Sequence, residues 1–281
     1  MDPASHSIVK VQKTPLLIPN LPPIRQLSAG ADYVLALSTT GHIYTWGCGA
    51  QHELGRRLLQ RRLPLSLLPT QIGFPKKSIE IASVHAATNH AFAIDTTGQT
   101  WAWGSNNYGQ TGVDGGLTKW GDGGTVIIPE TVASLSSTKM KAIAGGIHHS
   151  IGLTQDGRVL VWGRIDGGQS GLDIPNLPFL QDRKKVIFDG YGKPRILLHP
   201  TPVPVDGKGV HIVAGSDHCI AVTDDGAAYS WGFNATYQCG QGNDDDVPIA
   251  KRMMGKNVRD RKIVWAGAGG QYSMLASDLG S

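Results

Sequence analysis

The chain has 281 residues, with 26 Lys and Arg against 22 Asp and Glu, a formal charge of +4 at pH 7. That mild excess permits an acidic partner without demanding nucleic acid, and no apolar run approaches the length needed to span a membrane. Three cysteines, Cys48, Cys219 and Cys239, are odd in number and lack metal-ligand spacing, which points to a reducing compartment rather than to a disulfide framework or a metal site.

The first residues, MDPASHSIVKVQK, lack the apolar core of a secretory signal and pass into a strand-like segment, Ile8 to Val11. Residues 1–28, with Pro15, Pro19, Pro22 and Pro23, read as the end of one structural unit and a connector. A pattern then recurs. Its copies run from Gly30 to Gly55, Ala87 to Gly112, Gly146 to Gly171 and Gly215 to Gly240. In the third, apolar runs at Ser150–Thr154 and Arg158–Trp162 flank Gln155-Asp156-Gly157. Alternating apolar residues on both sides of an Asp-Gly turn predict a β-hairpin.

Trp-Gly closes each hairpin, at Trp46-Gly47, Trp103-Gly104, Trp162-Gly163 and Trp231-Gly232. Five residues before each Trp stands a turn glycine: Gly41, Gly98, Gly157 or Gly226. The copies lie 57, 59 and 69 residues apart. Each is too small to bury its own core, so the units must stack, and hairpin units of this size read as blades of a β-propeller. The expectation is an all-β fold, one partial propeller domain over 1–281 with four-stranded blades. Blades are placed near 29–86, 87–144, 145–213 and 214–265. A partial blade at 266–277 opens at Ala266-Gly267-Ala268-Gly269-Gly270 and stops after its first strand, leaving an incomplete, open ring. The repeated tryptophans read as blade-to-blade packing in preference to a stacking platform for a base or sugar. The glycines read as turn and close-approach positions, not phosphate cradles.

Between the copies lie three loops of note. Arg56 to Arg62 is basic, either a solvated loop or a contact for an acidic surface or phosphate. VDGGLTKWGDGGTVIIP follows the second copy, and its Trp120-Gly121 lacks the flanking spacings of a blade. Asp173 to Pro204 is a second insertion, carrying Arg183, Lys184, Lys185, Lys193 and Arg195. Asp244-Asp245-Asp246, after the fourth copy, lacks the spaced ligands and distal Glu of a calcium loop and reads as a solvated turn.

Constant positions serve the fold, so a fixed position whose chemistry varies is more informative. Two residues after each leading glycine (or Ala87) stand Asp32, Asn89, His148 and Asp217, with Tyr272 in the fifth copy. If the blades share one geometry, these residues form a polar arc on one face, a candidate binding site. The competing role is capping of local backbone. His148-His149 is a poor zinc pair, because adjacent strand residues point to opposite faces. No activated nucleophile and no GK[ST] phosphate loop is present, so neither covalent chemistry, a cofactor nor a small-molecule substrate is indicated.

The stretches GADYVLALSTTGHIYTWGCGAQHELGR, GGIHHSIGLTQDGRVLVWG and GSDHCIAVTDDGAAYSWG resemble the regulator of chromosome condensation family, nuclear exchange factors for the small GTPase Ran built as seven-bladed propellers. The closing segment, with its acidic run, Met253-Met254-Gly255-Lys256 and Gly-Gly-Gln, is similar to the C-terminal end of the exchange factor itself. The similarity covers about Ile8 to Ala276 and corresponds to the C-terminal four and a half blades. A wedge that presses on the GTPase belongs to an N-terminal blade without a counterpart here. The resemblance puts Asp32 on the family's key aspartate, His148 on its key histidine and Arg56 on an arginine after the first loop. Tyr272 stands where relatives have His. It implies a guanine-nucleotide exchange factor for a Ran-type GTPase, or a truncated form of one, that binds through Asp32, His148 and Arg56, to which the arc position adds Asn89 and Asp217. It also implies a nuclear location, with cytoplasm as a second setting, and histones or chromatin as further partners. The alternative is a propeller scaffold that binds proteins without promoting exchange.

Overall fold

The structure, a computed structural model, describes residues 13–76, 78–114 and 124–278, without the side chains of 60–63. The strand-like Ile8–Val11, Trp120-Gly121 and the side chains of Arg61 and Arg62 lie outside the described set. The strands form five sheets that follow one another along the chain. The first orders β1 (Ile24–Ala29), β2 (Tyr33–Ser38), β3 (Ile43–Gly47) and β4 (Thr70–Gln71) side by side. The second repeats this with β5 (Ile81–Ala86), β6 (His90–Asp95), β7 (Thr100–Ser105) and β8 (Thr125–Thr131). In the third, β9 (Met140–Gly145), β10 (His149–Thr154) and β11 (Val159–Arg164) are followed by β12 (Val186–Phe188) and β13 (Pro194–Pro202), and β13 lies between β11 and β12. The fourth holds β14 (Gly209–Ala214), β15 (His218–Thr223), β16 (Ala228–Gly232) and β17 (Val247–Arg252). A two-stranded sheet of β18 (Ile263–Ala268) and β19 (Ser273–Ser277) ends the described chain.

All pairings within these sheets are antiparallel, and the leading strands pack in series, β1 on β5, β5 on β9, β9 on β14 and β14 on β18. This is a propeller arrangement of four blades and a fifth, smaller sheet. Leading strands would otherwise face their neighbours with open backbone groups. Side chains close several of these gaps. Gln26 exchanges two hydrogen bonds with the Val84 backbone, Ser28 Oγ accepts from Ala86 N, and His211 Nε2 donates to Ala266 O. Second strands have sheets on both sides, and every residue of β6, β10 and β15 is buried.

The repeated tryptophans pack blade against blade. Trp103, Trp162 and Trp231 are fully buried. Each indole N–H reaches back to the preceding blade, Trp103 to Glu53 O at 2.8 Å, Trp162 to Gln110 O and Trp231 to Gln169 O at 2.9 Å. A Cβ on Gly55, Gly112 or Gly171 would meet the same indole at 2.8 to 3.2 Å, which is why the loop residue two after each carbonyl is glycine. Trp46 is only half-buried.

Several expectations need correction. The repeat glycines mark the turn after the first strand of each sheet, so the sheets open at Ile24, Ile81, Met140, Gly209 and Ile263, ahead of the sequence frame. Ile24–Ala29 therefore begins the first described blade instead of ending another. The third blade has five strands, not four, because the Asp173–Pro204 insertion folds back as the β12–β13 hairpin. The last sheet has two strands, not one.

Candidate functional site

Asp32, Asn89, His148 and Asp217 occupy one blade position. The main-chain carbonyl of each accepts a hydrogen bond from the residue after a Trp-Gly pair: Cys48, Ser105, Arg164 and Phe233 respectively, at 2.7 to 2.9 Å. The glycines of those pairs, Gly47, Gly104, Gly163 and Gly232, take positive φ between 99° and 117°. A Cβ on any of them would stand 2.3 to 2.7 Å from that same carbonyl. The Trp-Gly glycine thus permits the close approach that places each arc residue. None of the four side chains caps local backbone. Asp217 Oδ1 instead accepts from Gln169 Nε2 of the preceding blade at 3.0 Å.

In the fifth copy the frame moves by one residue. Gly269 N donates to Tyr272 O as Gly30 does to Tyr33, Gly146 to His149 and Gly215 to His218. Tyr272 is therefore equivalent to the packing residues Tyr33, His90, His149 and His218, and the arc position falls on exposed Gln271. The double Gly269-Gly270 misled the spacing. His149 is likewise a packing residue, buried with Nε2 against Cys219 Sγ at 3.0 Å, while the neighbouring His148 is half-buried on the arc.

Around His148 the structure assembles groups that spacing alone missed. The Tyr108 ring lies against the His148 ring with centroids 4.4 Å apart. Arg164 and Arg195 stand over Tyr108 at 5.4 and 5.0 Å, and Arg195 Nη2 donates to Tyr108 Oη at 3.0 Å. Asp166 pairs with both guanidiniums. Burial lowers the His148 pKa below its ordinary value, with Arg164 and Arg195 acting the same way and Asp217 and Asp166 opposing. The ring is thus biased toward the neutral form, a donor at one nitrogen and an acceptor at the other. Arg164 and Asp166 sit two and four residues after Trp162, where other copies have Cys48 and Ala50, Ser105 and Asn107, or Phe233 and Ala235. That is the same signal of varied chemistry at a fixed place. Tyr108 carries it too, five residues after Trp103 where the other copies have Gln51, Gly167 and Thr236, but Arg195, in the insertion, does not.

At the first blade the surface is acidic. Glu53 is buried, its Oε2 accepting from Gln51 N at 2.8 Å. Burial raises its pKa, and nearby Asp32 adds to the rise. The other blades have Gln110, Gln169 and Gln238 in this place, each accepting a main-chain N–H in the same way. Arg56 is half-buried, with Nε and Nη2 shielded from solvent and without hydrogen-bond partners. Burial lowers its pKa. Among the described residues, no hydrogen bond or ion pair joins Arg56 to the arc side chains.

Residues 3–275 match the RCC1-like domain. The protein pim1 of Schizosaccharomyces pombe is 40% identical over 257 residues, which span 91% of this chain and 46% of that one. The guanine nucleotide exchange factor SRM1 of Saccharomyces cerevisiae is 34% identical over 269 residues, 95% of this chain and 53% of that one. The chain thus spans about half the length of these relatives. The crystal structure of Prp20p from Saccharomyces cerevisiae, described with its binding properties to Gsp1p and histones, superposes with a TM-score of 0.84 at 33% identity. That superposition covers 96% of this chain and 59% of Prp20p.

Proposed function

Because this chain belongs to the RCC1-like domain family, we propose that it is a guanine-nucleotide exchange factor for a small GTPase of the Ran type, with the arc as its GTPase-facing surface. The observation that carries this reading is varied chemistry on a constant scaffold. Asp32, Asn89, His148 and Asp217 share one main-chain geometry and differ only in what they offer a partner. The exchange-factor name of SRM1 and the description of Prp20p with Gsp1p support it. Arg56 adds a guanidinium with two unpaired nitrogens in the loop between β3 and β4 of the first blade. Prp20p also motivates histones as further partners, and with them a nuclear setting.

The action is non-covalent. A GTPase grips its nucleotide through phosphate contacts and Mg²⁺. A factor that binds the empty form best weakens nucleotide binding by the same factor that nucleotide weakens its own. Asp32 and Asp217 supply acceptors, Asn89 both donors and an acceptor, and neutral His148 one of each. Together they suit basic and polar groups of the GTPase that become available as its phosphate site opens.

The test is release of fluorescent GDP from a preloaded Ran-type GTPase, which the purified protein should accelerate. Asp32→Ala and His148→Ala should each weaken binding of the nucleotide-free GTPase by roughly 2–5 kcal/mol, as desolvated interface contacts do, with melting temperature nearly unchanged. Binding without acceleration would replace this reading with that of a scaffold. Normal binding by both variants would reduce the arc to a structural feature.

A further inference from the structure

We propose that Tyr108 is a positioning residue for His148, and that the β12–β13 hairpin acts on the arc through it by way of Arg195. The His148 ring makes no hydrogen bond among the described residues, so nothing polar fixes its orientation. What the His148 ring rests against is the Tyr108 ring, tilted 49° to it and reaching over from the loop after β7 in the neighbouring blade. Tyr108 is itself held at two points. Its main-chain N–H donates to Gln110 Oε1 at 2.8 Å, and its hydroxyl accepts from Arg195.

Arg195 belongs to the insertion. Its carbonyl accepts from Ile165 N at 2.9 Å, and its neighbour Ile196 pairs with Arg164 in the β11–β13 ladder. Asp166 holds the two guanidiniums side by side, and both stand over Tyr108. A planar guanidinium that bonds a phenol and covers its ring fixes that ring more firmly than a lysine could. The chain of contact therefore runs from hairpin to Arg195, to Tyr108, to His148. It spans two blades, with the Arg195 side chain held at its end by Tyr108 and Asp166. At the hairpin tip, Tyr191 is 94% exposed.

This inference rests on the proposed role of His148 only for its effect on binding, so the test reads the ring directly as well. The His148 ring would be titrated by NMR in the full chain, and affinity for the nucleotide-free GTPase measured in parallel. The groups facing the ring are Tyr108 from the second blade, Arg164, Asp166 and Arg195 from the third and Asp217 from the fourth, with His90 and His149 close by. Arg195→Ala removes a cation and loosens the cover, so the His148 pKa should rise toward its ordinary value, the ring should gain mobility, and affinity should fall about tenfold. Arg195→Lys should restore part of the affinity. Tyr108→Phe, which keeps the packing and loses only the hydroxyl, should reproduce the Arg195→Ala effect in weaker form. Tyr191→Ala should change nothing.

An unchanged His148 titration and ring mobility in both Arg195→Ala and Tyr108→Phe would overturn the proposal. So would a loss of affinity in Tyr191→Ala equal to that in Arg195→Ala, since the hairpin would then touch the partner itself. If the ring responds as expected while His148→Ala binds normally, the positioning stands and the GTPase-facing role of the arc falls.

Discussion

At the scale of single residues, the junctions between blades are built on buried histidines. His90 Nε2 lies 2.7 Å from Ser150 Oγ, and that hydroxyl donates in turn to Gln110 O. The hydroxyl's proton is therefore committed, so His90 must donate from Nε2, and its Nδ1 is an acceptor buried without a partner. His149 against Cys219 and His218 against Ser273 repeat the arrangement, each with an orphaned Nδ1. Protonating any of them would bury a charge with nothing to receive it. Burial accordingly lowers the pKa of His90 to about 3 and those of His149 and His218 to about 4. The unfolded chain takes up these protons near pH 6.5, the folded chain only near pH 3 to 4. Stability is then complete above about pH 6.5 and falls as pH drops toward 4, by up to about 1.4 kcal/mol per pH unit for each histidine. Urea midpoints between pH 7 and 5, where few carboxylates titrate, should fall steeply, and His90→Gln should flatten the slope by about one proton. A midpoint constant over that range would mean that the rings are solvated. The arc could be read from sequence because fixed spacing exposes varied chemistry. The junction histidines carried a mark of the opposite kind, since His90, His149 and His218 stand at one fixed distance before a repeat Trp and so form a near-constant position that serves the fold.

Among the elements, the Trp-Gly hairpins read true from sequence and the leading strands did not. A hairpin carries its own turn glycine and a fixed Trp, local signals that need no neighbour. Leading strands such as β1, IRQLSA, are defined by what packs beside them, through Gln26 on Val84 and Ser28 on Ala86. The β12–β13 hairpin was hidden for a related reason, since its pairing with β11 is set at long range. Where hairpin and arc meet, Gly163 makes a test of their coupling. Its φ of +99° disfavours any side chain, and a Cβ would stand 2.7 Å from His148 O and 2.9 Å from His149 Cα. Gly98, at φ +89°, shares the strain but has only Lys139 Cγ nearby, at 3.9 Å. Both alanine variants should lose on the order of 1–3 kcal/mol of stability. Gly163→Ala alone should also weaken GTPase binding, because it moves the carbonyl that seats His148. Equal binding by the two variants would break the proposed link between Trp-Gly and the arc.

For the whole molecule, the strand ladders stay within each sheet, so the blades are joined by main-chain bonds between loops, such as Thr88 N to Gly146 O and Ile147 N to Ser216 O, and by side chains. At the junction of the second and third blades, Gln110 O accepts from both Trp162 Nε1 and Ser150 Oγ, and Phe92 meets the Trp162 indole edge-on at 5.9 Å. Trp162 and Leu160 join the apolar core of the first two blades, while Ile151, Leu153 and Val161 of the same sheet belong to the core shared with the fourth blade. The Trp162 indole is thus the largest side chain at this junction, beside Met140 and Ile143 of β9 in the same core and the His90–Ser150 bond. A chain of units joined by nearest-neighbour contacts unfolds as one only while each junction is strong compared with the units it links. Trp162→Ala should cost roughly 3–5 kcal/mol, as large aromatic truncations in cores do, and it should do so at one boundary. We expect its thermal unfolding to separate into two steps, with calorimetric enthalpy exceeding the van't Hoff value. Hydrogen exchange should then divide between β8 and β9, with β1–β8 and β9–β19 opening at different free energies. Trp46→Ala, at a half-buried position, should lower the midpoint less and leave the transition single. A Trp162→Ala protein that melts in one coincident step, with uniform exchange across that boundary, would place the cohesion of the blades elsewhere than in the repeated indoles.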